Sequence, residues 1–192
     1  MQEHRLAARE LACRRGDRVL FNGLSLDVHS GEALHVAGVN GIGKSSLLRI
    51  LAGLLRPFAG DVERHGTVGL IDERPALDPN LPLGSALTFW QRLDGPAEDA
   101  VARLGLSDLL DVPVRYLSTG QRKRASLARL IGQGAHLWLL DEPLNGLDTH
   151  AARLTEALAA EHCATGGICV IASHQPFALP GMKRLELSEF TA

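Results

Sequence analysis

A chain of 192 residues has room for one to two domains, and with 45% hydrophobic and 22% charged residues it is neither too small to bury a core nor polar enough to stay disordered. Twenty Lys and Arg against 22 Asp and Glu leave a formal net charge of −2, which argues against a basic nucleic-acid surface. Two Trp, one Tyr and five Phe are too few for a platform that stacks successive bases, so nucleic acid is not expected as a partner.

Taken in chain order, residues 1–18 alternate Arg with Glu and Ala and lack an apolar stretch, so no secretory signal is expected. No apolar run approaches the roughly 18 residues of a membrane-spanning helix. Residues 24–28 alternate apolar and polar, a His29-Ser30-Gly31-Glu32 turn follows, and residues 33–37 are apolar again, which predicts a β-hairpin. The second of these strands runs into glycine-rich residues 38–43 and then a helix over 44–55, with Leu47, Leu48, Leu51, Leu54 and Leu55 at helical spacing before Pro57 stops it. A short strand over 68–71 comes next. Residues 75–112 scatter Pro75, Pro79, Pro82, Gly84, Gly95, Pro96 and Gly105 between helical fragments at 98–104 and 107–110, the pattern of a small helical insert. From Ser118 regular structure resumes: a helix to about Ile131, a strand over 137–140, a helix over 149–161 and a strand over 168–172. The last two strands are apolar without alternation, as parallel strands covered on both faces require. The expected fold is an α/β core with an inserted helical subdomain of about forty residues.

Gly38-Val39-Asn40-Gly41-Ile42-Gly43-Lys44-Ser45 meets the G-x-x-x-x-G-K-[ST] pattern at every fixed position, with a strand before it and a helix after it. Glycines let successive N–H groups turn toward phosphate oxygens, and the helix beginning at Lys44 and Ser46 adds its positive end. Lys44 would bridge the β- and γ-phosphates, and the Ser45 hydroxyl suits Mg²⁺, a cation that prefers hard oxygen ligands. Chance agreement of four fixed residues and both flanking elements is the weaker reading.

Asp141 and Glu142 close the second apolar strand, where α/β sheets place ligands. Asp141 suits the holding of Mg²⁺ through water, and Glu142 the orientation or deprotonation of an attacking water. Ser118-Thr119-Gly120-Gln121 opens a helix with the spacing of a capping box, and the same helix start offers N–H groups to a second phosphate. Asn145-Gly146 reads as a tight turn. Cys13, Cys163 and Cys169 are odd in number with no C-x-x-C pair, so neither disulfides nor zinc is expected, and the thiols read as reduced and cytosolic. His4, His29, His35, His65, His136, His150 and His162 show no metal-ligand spacing.

The phosphate loop, Leu-Ser-Thr-Gly-Gln at 117–121, Leu-Leu-Asp-Glu-Pro at 139–143 and a later His174 together resemble the ATP-binding subunits of ABC transporters, over nearly the whole chain. The resemblance implies a P-loop NTPase core with an N-terminal antiparallel β subdomain, core residues at about 1–74 and 119–192, and the helical subdomain at about 75–118. It implies ATP and Mg²⁺ as ligands and a head-to-tail homodimer in which Ser118 to Gln121 act on the nucleotide of the partner. Asn145-Gly146-Leu147-Asp148 would be the D-loop across that interface. His174 would be the switch histidine at the γ-phosphate, sharing catalysis with Glu142. Within the family, the short chain, residues 11–25, Asp72-Glu73-Arg74-Pro75 and Ser173-His174-Gln175-Pro176 resemble the haem-exporter subunits of the Ccm cytochrome c biogenesis system. That would place the chain on the cytoplasmic face of a bacterial inner membrane, bound to permease subunits. The alternatives are an ATPase subunit of another small exporter, sharing every catalytic residue, and a soluble mechanical ATPase, for which one phosphate loop in 192 residues leaves little room.

Two departures stand out. The family carries a Gln after the edge strand, and here the segment is Asp72-Glu73-Arg74; Glu73 can offer an oxygen to a metal, whereas Arg74 is a fixed cation. The family also stacks adenine on an aromatic upstream of the phosphate loop, and residues 11–16 contain none, leaving Arg14 or Arg15 to stack and predicting weak base selectivity.

Overall fold

The computed structural model describes residues 3–95 and 98–191, so Pro96, one of the turn signals above, lies outside the described residues. Three antiparallel strands, β1 (Arg5–Arg15), β2 (Arg18–His29) and β4 (Ala59–His65), make one sheet in the order β2-β1-β4. The other sheet is parallel, in the order β5 (Val68–Ile71), β6 (Leu137–Asp141), β7 (Ile168–Ala172), β3 (Ala33–Ala37) and β8 (Lys183–Glu186). This is the P-loop ABC ATPase architecture expected from the sequence.

The predicted hairpin does not form. β2 pairs with β1, and β3 lies between β7 and β8 in the other sheet. All five residues of β3 are buried, so the strand needs cover on both faces, which a hairpin partner with a wet face cannot give. The chain changes sheets at Ser30 and Gly31, whose N–H groups bond to His4 O at 3.1 Å and Gly167 O at 2.9 Å. β1 escaped the sequence pattern because it is not alternating: Leu6 to Ala8 and Leu11 to Cys13 are buried runs, with register shifts between them. At that bulge Glu10 has φ 49° and Gly60 of β4 lies so close to the Arg9 and Glu10 carbonyls that any Cβ would collide with them. β4 and β8 are polar, contain no buried residue, and carry little apolar signal.

Helix α1 (Lys44–Leu51) ends one turn before the predicted Leu55. Gly53 turns there at φ 79°, and Arg64 caps the end by donating to Ile50 O at 2.7 Å and Leu51 O at 2.6 Å. The insert holds α2 (Leu83–Gln91), whose helix the Pro and Gly signals masked, and α3 (Glu98–Arg103); residues 107–110 form a 3₁₀ turn at Ser107–Leu109. α4 (Thr119–Gly132) and α5 (Thr149–Ala164) complete the α-helices among the described residues, with 3₁₀ turns at Val114–Tyr116 and Leu187–Phe190, and no helix is long and apolar enough to cross a membrane.

The parallel sheet divides the core by parity. Leu137, Leu139, Ile168, Val170 and Ala172 pack with α1 and the antiparallel sheet through Leu47, Leu51, Phe21 and Leu6. Trp138, Leu140, Cys169 and Ile171 pack on the opposite face with Leu158 of α5, Leu130 of α4 and Leu87 of α2. Each buried Leu, Ile, Val or Phe among them contributes about 1.5–3 kcal/mol, and together they fix the carboxyl ends of β3, β6 and β7 side by side.

Candidate active site

Those three strand ends carry the site. Beyond β3, Gly38, Gly41 and Gly43 take φ of 149°, 80° and 121°, a loop only glycine follows at low cost. A Cβ on Gly43 would also press within 3.3 Å of Leu20 and Phe21. Gly43 caps α1 without a side-chain hydrogen bond, which leaves the first-turn N–H groups for an anion. The Lys44 ammonium is buried and donates to Gly38 O at 2.7 Å and Val39 O at 3.3 Å, so the lysine folds back along the loop.

At the end of β6, Glu142 has φ 46°, a left-handed conformation rare for a side chain of this type, held by its N–H donating to Ala172 O at 2.8 Å. That twist turns its carboxylate toward the loop: Oε1 is 3.7 Å from Lys44 Nζ and accepts the His174 N–H at 3.2 Å, and Oε2 lies 2.8 Å from His174 Nδ1. Asp141 is 2% exposed, and its Oδ1 has no hydrogen-bond partner among the described residues. Burial pushes its carboxyl up; a hydrogen bond with Ser45 and the charge of Lys123 oppose that, while Glu142 and Glu73 add to it. An unpartnered carboxylate oxygen buried beside a serine hydroxyl fits a hard divalent cation such as Mg²⁺.

Lys44, Ser45, Ser46, Asn40, Gly41 and Gly43 line a cavity of about 410 Å³ together with Leu20, Glu73, Glu142, Asn145 and His174. Its size suits a small-molecule ligand, and its walls pair a cationic loop with a carboxylate and an imidazole. Gly38, Val39 and Ile42 face a second cavity of about 580 Å³ that shares His174.

Ser118, Gly120 and Gln121 line neither cavity. Ser118 Oγ accepts the Gln121 N–H at 3.2 Å and Gln121 Oε1 accepts the Ser118 N–H at 2.7 Å, so both are bound up in the capping box of α4. Thr119 lines a neighbouring space with Glu73, Lys123 and Asn145. Gly120 packs against the carbonyl of Gly146, which turns at φ 76°, and Asp148 caps α5 by accepting the Ala151 N–H at 2.8 Å. That bond holds the Asp148 carboxyl below its ordinary value. Leu147 N–H closes the same turn on Leu144 O at 3.1 Å.

Sequence reasoning missed Lys123. It sits in Arg122-Lys123-Arg124, a run that reads as a solvated helix face, yet its ammonium is half-buried and donates to Asp141 O at 3.3 Å. Of the two arginines expected to stack on a base, Arg14 lies over the exposed Phe58 ring at 4.7 Å. The histidines without metal spacing include His35, bonded to Ser173 O at 3.1 Å, and His162, stacked on Trp138 at 4.0 Å.

Residues 21–145 match the family described as ABC transporter. The chain is 64% identical over 191 residues to the cytochrome c biogenesis ATP-binding export protein CcmA of Novosphingobium aromaticivorans, covering 99% of each chain. It is 50% identical to the protein of that name from Zymomonas mobilis, covering 98% of this chain and 86% of the relative. Among solved structures, the ATP-binding subunit of an ABC transporter superposes with a TM-score of 0.80 at 21% identity, covering 88% of this chain and 79% of that one, a likeness of fold.

Proposed function

Because the chain belongs to the ABC transporter family, and within it to the cytochrome c biogenesis ATP-binding export proteins, we propose that it is the ATPase that powers haem export or release for c-type cytochrome maturation. The observation behind the cargo is identity along nearly the full length of both chains with proteins named as cytochrome c biogenesis ATP-binding export proteins; haem as the exported group is our reading of that name. The observation that carries the chemistry is the convergence of Lys44, Glu142 and His174 at one end of the phosphate loop.

In this reading Gly38 to Ser46 hold the triphosphate, with the loop N–H groups and the start of α1 facing its oxygens. Lys44 exchanges its main-chain acceptors for the β- and γ-phosphates. Ser45, and Asp141 through water, would hold Mg²⁺, which would supply positive charge against the phosphates. Glu142 orients the attacking water and takes up its proton, a role worth about 10²–10⁴ in rate. His174 fixes the Glu142 carboxylate with two bonds and faces the γ-phosphate. Ser118, Thr119, Gly120 and Gln121, which sit away from their own chain's phosphate cavity, complete the site of a second copy in a head-to-tail homodimer, with Asn145 to Asp148 at the seam.

Residues 75–118 form the helical subdomain of one ATP-binding domain, and the domain docks on permease subunits. The protein would then work from the cytoplasmic face of a bacterial inner membrane.

The test is a haem stain for c-type cytochromes in membranes of a strain carrying Lys44→Ala at the native locus. Loss of the stained bands with the variant protein present supports the reading; unchanged bands sink haem as the cargo.

A further inference from the structure

Glu73 lines two adjoining cavities, one with Lys44, Ser45 and Glu142 of the phosphate site, the other with Lys123 and Asp72. Three carboxylates, Asp72, Glu73 and Glu142, therefore line this stretch of wall, the buried Asp141 adjoins Glu142 in the chain, and the partners of the four differ. Asp72 is paired with Arg49 at 3.2 Å, and Glu142 with Lys44 and His174. Glu73 has no ion pair among the described residues, and the buried Asp141 has an Oδ1 atom without a partner. Lys123 stands in the field of all four, but its recorded hydrogen bond goes to the main-chain oxygen of Asp141 rather than to a carboxylate. The ammonium is thereby anchored to β6, and its charge acts on the whole cluster instead of being spent on one partner.

We propose that Glu73 and Lys123 form a charge-balanced pair that ties divalent-cation loading to nucleotide: Glu73 is an additional carboxylate facing the cation, and Lys123 is the built-in cation that denies the empty site a metal of its own. A divalent ion approaching the empty cluster feels Lys123 with twice the force a monovalent ion would, in a half-buried setting where screening is weak. The phosphates of a nucleotide add enough negative charge to outweigh that repulsion, so cation and nucleotide enter together. Removing Lys123 leaves an unpartnered buried carboxylate oxygen and a free carboxylate at one site, which is what a hard cation binds.

The pair rests on the ATP-binding reading above, and the experiment separates the two. Mn²⁺ binding to the purified full-length chain is measured by electron paramagnetic resonance, with and without a non-hydrolysable ATP analogue. The wild type should bind Mn²⁺ tightly with the analogue and weakly without it. Lys123→Met should raise the nucleotide-free affinity by on the order of tenfold. Lys123→Arg should stay near wild type, and adding Glu73→Gln to Lys123→Met should restore the wild-type value. Glu73→Gln alone should lower Mn²⁺ affinity in the nucleotide complex several-fold. A wild type that binds neither analogue nor Mn²⁺ removes the ATP reading and the pair with it. A wild type that loads Mn²⁺ with the analogue, beside a Lys123→Met variant that stays metal-free without it, overturns the pair alone. Should Lys123→Met fail to fold, an unchanged Mn²⁺ affinity in Glu73→Gln does the same.

Discussion

Glu142 and His174 are joined twice, once through Nδ1 at 2.8 Å and once through the His174 main-chain N–H at 3.2 Å, so the carboxylate is held on both oxygens. A group fixed this way loses little freedom when a water must be oriented, which is where positioning enters the rate. Glu142→Gln keeps the shape and removes the proton acceptor: ATP binding should persist while kcat falls by about 10²-fold or more. His174→Ala should leave nucleotide affinity near wild type and lower kcat by roughly tenfold or more. Single-turnover kinetics beside equilibrium titration measure both, and a Glu142→Gln protein with near-normal turnover would remove Glu142 from the chemistry. Light scattering of Glu142→Gln in saturating Mg-ATP should show a dimer; a monomer there would count against the action of Ser118 to Gln121 in trans.

Gly120 and Gly146 are the second pair to test, because they join the start of α4 to the turn before α5. A Cβ on Gly120 would stand 2.5 Å from Gly146 O, and a main-chain atom cannot swing aside as a side chain does. Gly120→Ala should displace the turn at Asn145 to Asp148 while leaving Lys44 and its loop untouched. ATP affinity should stay within about twofold of wild type, and turnover should drop by about tenfold or more. Equal losses in affinity and turnover would place the damage in the general fold instead.

Much of this site was legible in the sequence because its residues sit at fixed offsets on short elements. The phosphate loop is a run of eight residues, and Asp141 is the last of the five buried residues of β6, with Glu142 directly after it. What escaped depends on contacts between distant segments. Glu142 takes φ 46° because Ala172 O, thirty residues on, captures its N–H, and nothing near Glu142 signals that. Lys123 reads as one of three solvated cations until β6 is seen to run beneath it. The mistaken hairpin has the same cause: local alternation cannot reveal that β3 needs a neighbour on each side, since β7 and β8 lie more than a hundred residues away.

Base selectivity should be weak. Among the residues lining the phosphate cavity, Leu20 is the apolar wall, and no Phe, Tyr or Trp stands there. Arg14 is stacked on Phe58, so its guanidinium already has a ring partner. Leucine contacts a purine face without reading its edge, and a site that does not hydrogen-bond the base discriminates poorly. ATP and GTP should compete with affinities within about tenfold of each other, and Leu20→Ala should weaken both alike. Strict ATP preference in a competition titration would require a base contact outside this cavity.

Asp141 should make the metal-free protein less stable as pH rises. Burial holds its carboxyl above the ordinary value, so the native chain keeps a proton there over a range in which the unfolded chain has released it. The native state then binds more protons than the unfolded one, and stability falls as pH climbs from the ordinary carboxylate value, about 3.9, through the raised native one. Above that window the cost stays. Asp141→Asn removes the charge and keeps the shape, so at pH 7 without metal it should melt higher than wild type, by on the order of 3 °C. Below the ordinary carboxylate value, where both states of the wild type are protonated, the difference should close. Mg-ATP should reverse the order at pH 7, because a cation bound at Asp141 stabilises only the chain that has the carboxylate. Thermal melts at both pH values, with and without Mg-ATP, test the argument. An Asp141→Asn protein less stable than wild type in the metal-free state at pH 7 would mean that the hydrogen bond with Ser45 and the charge of Lys123 outweigh burial at this carboxylate.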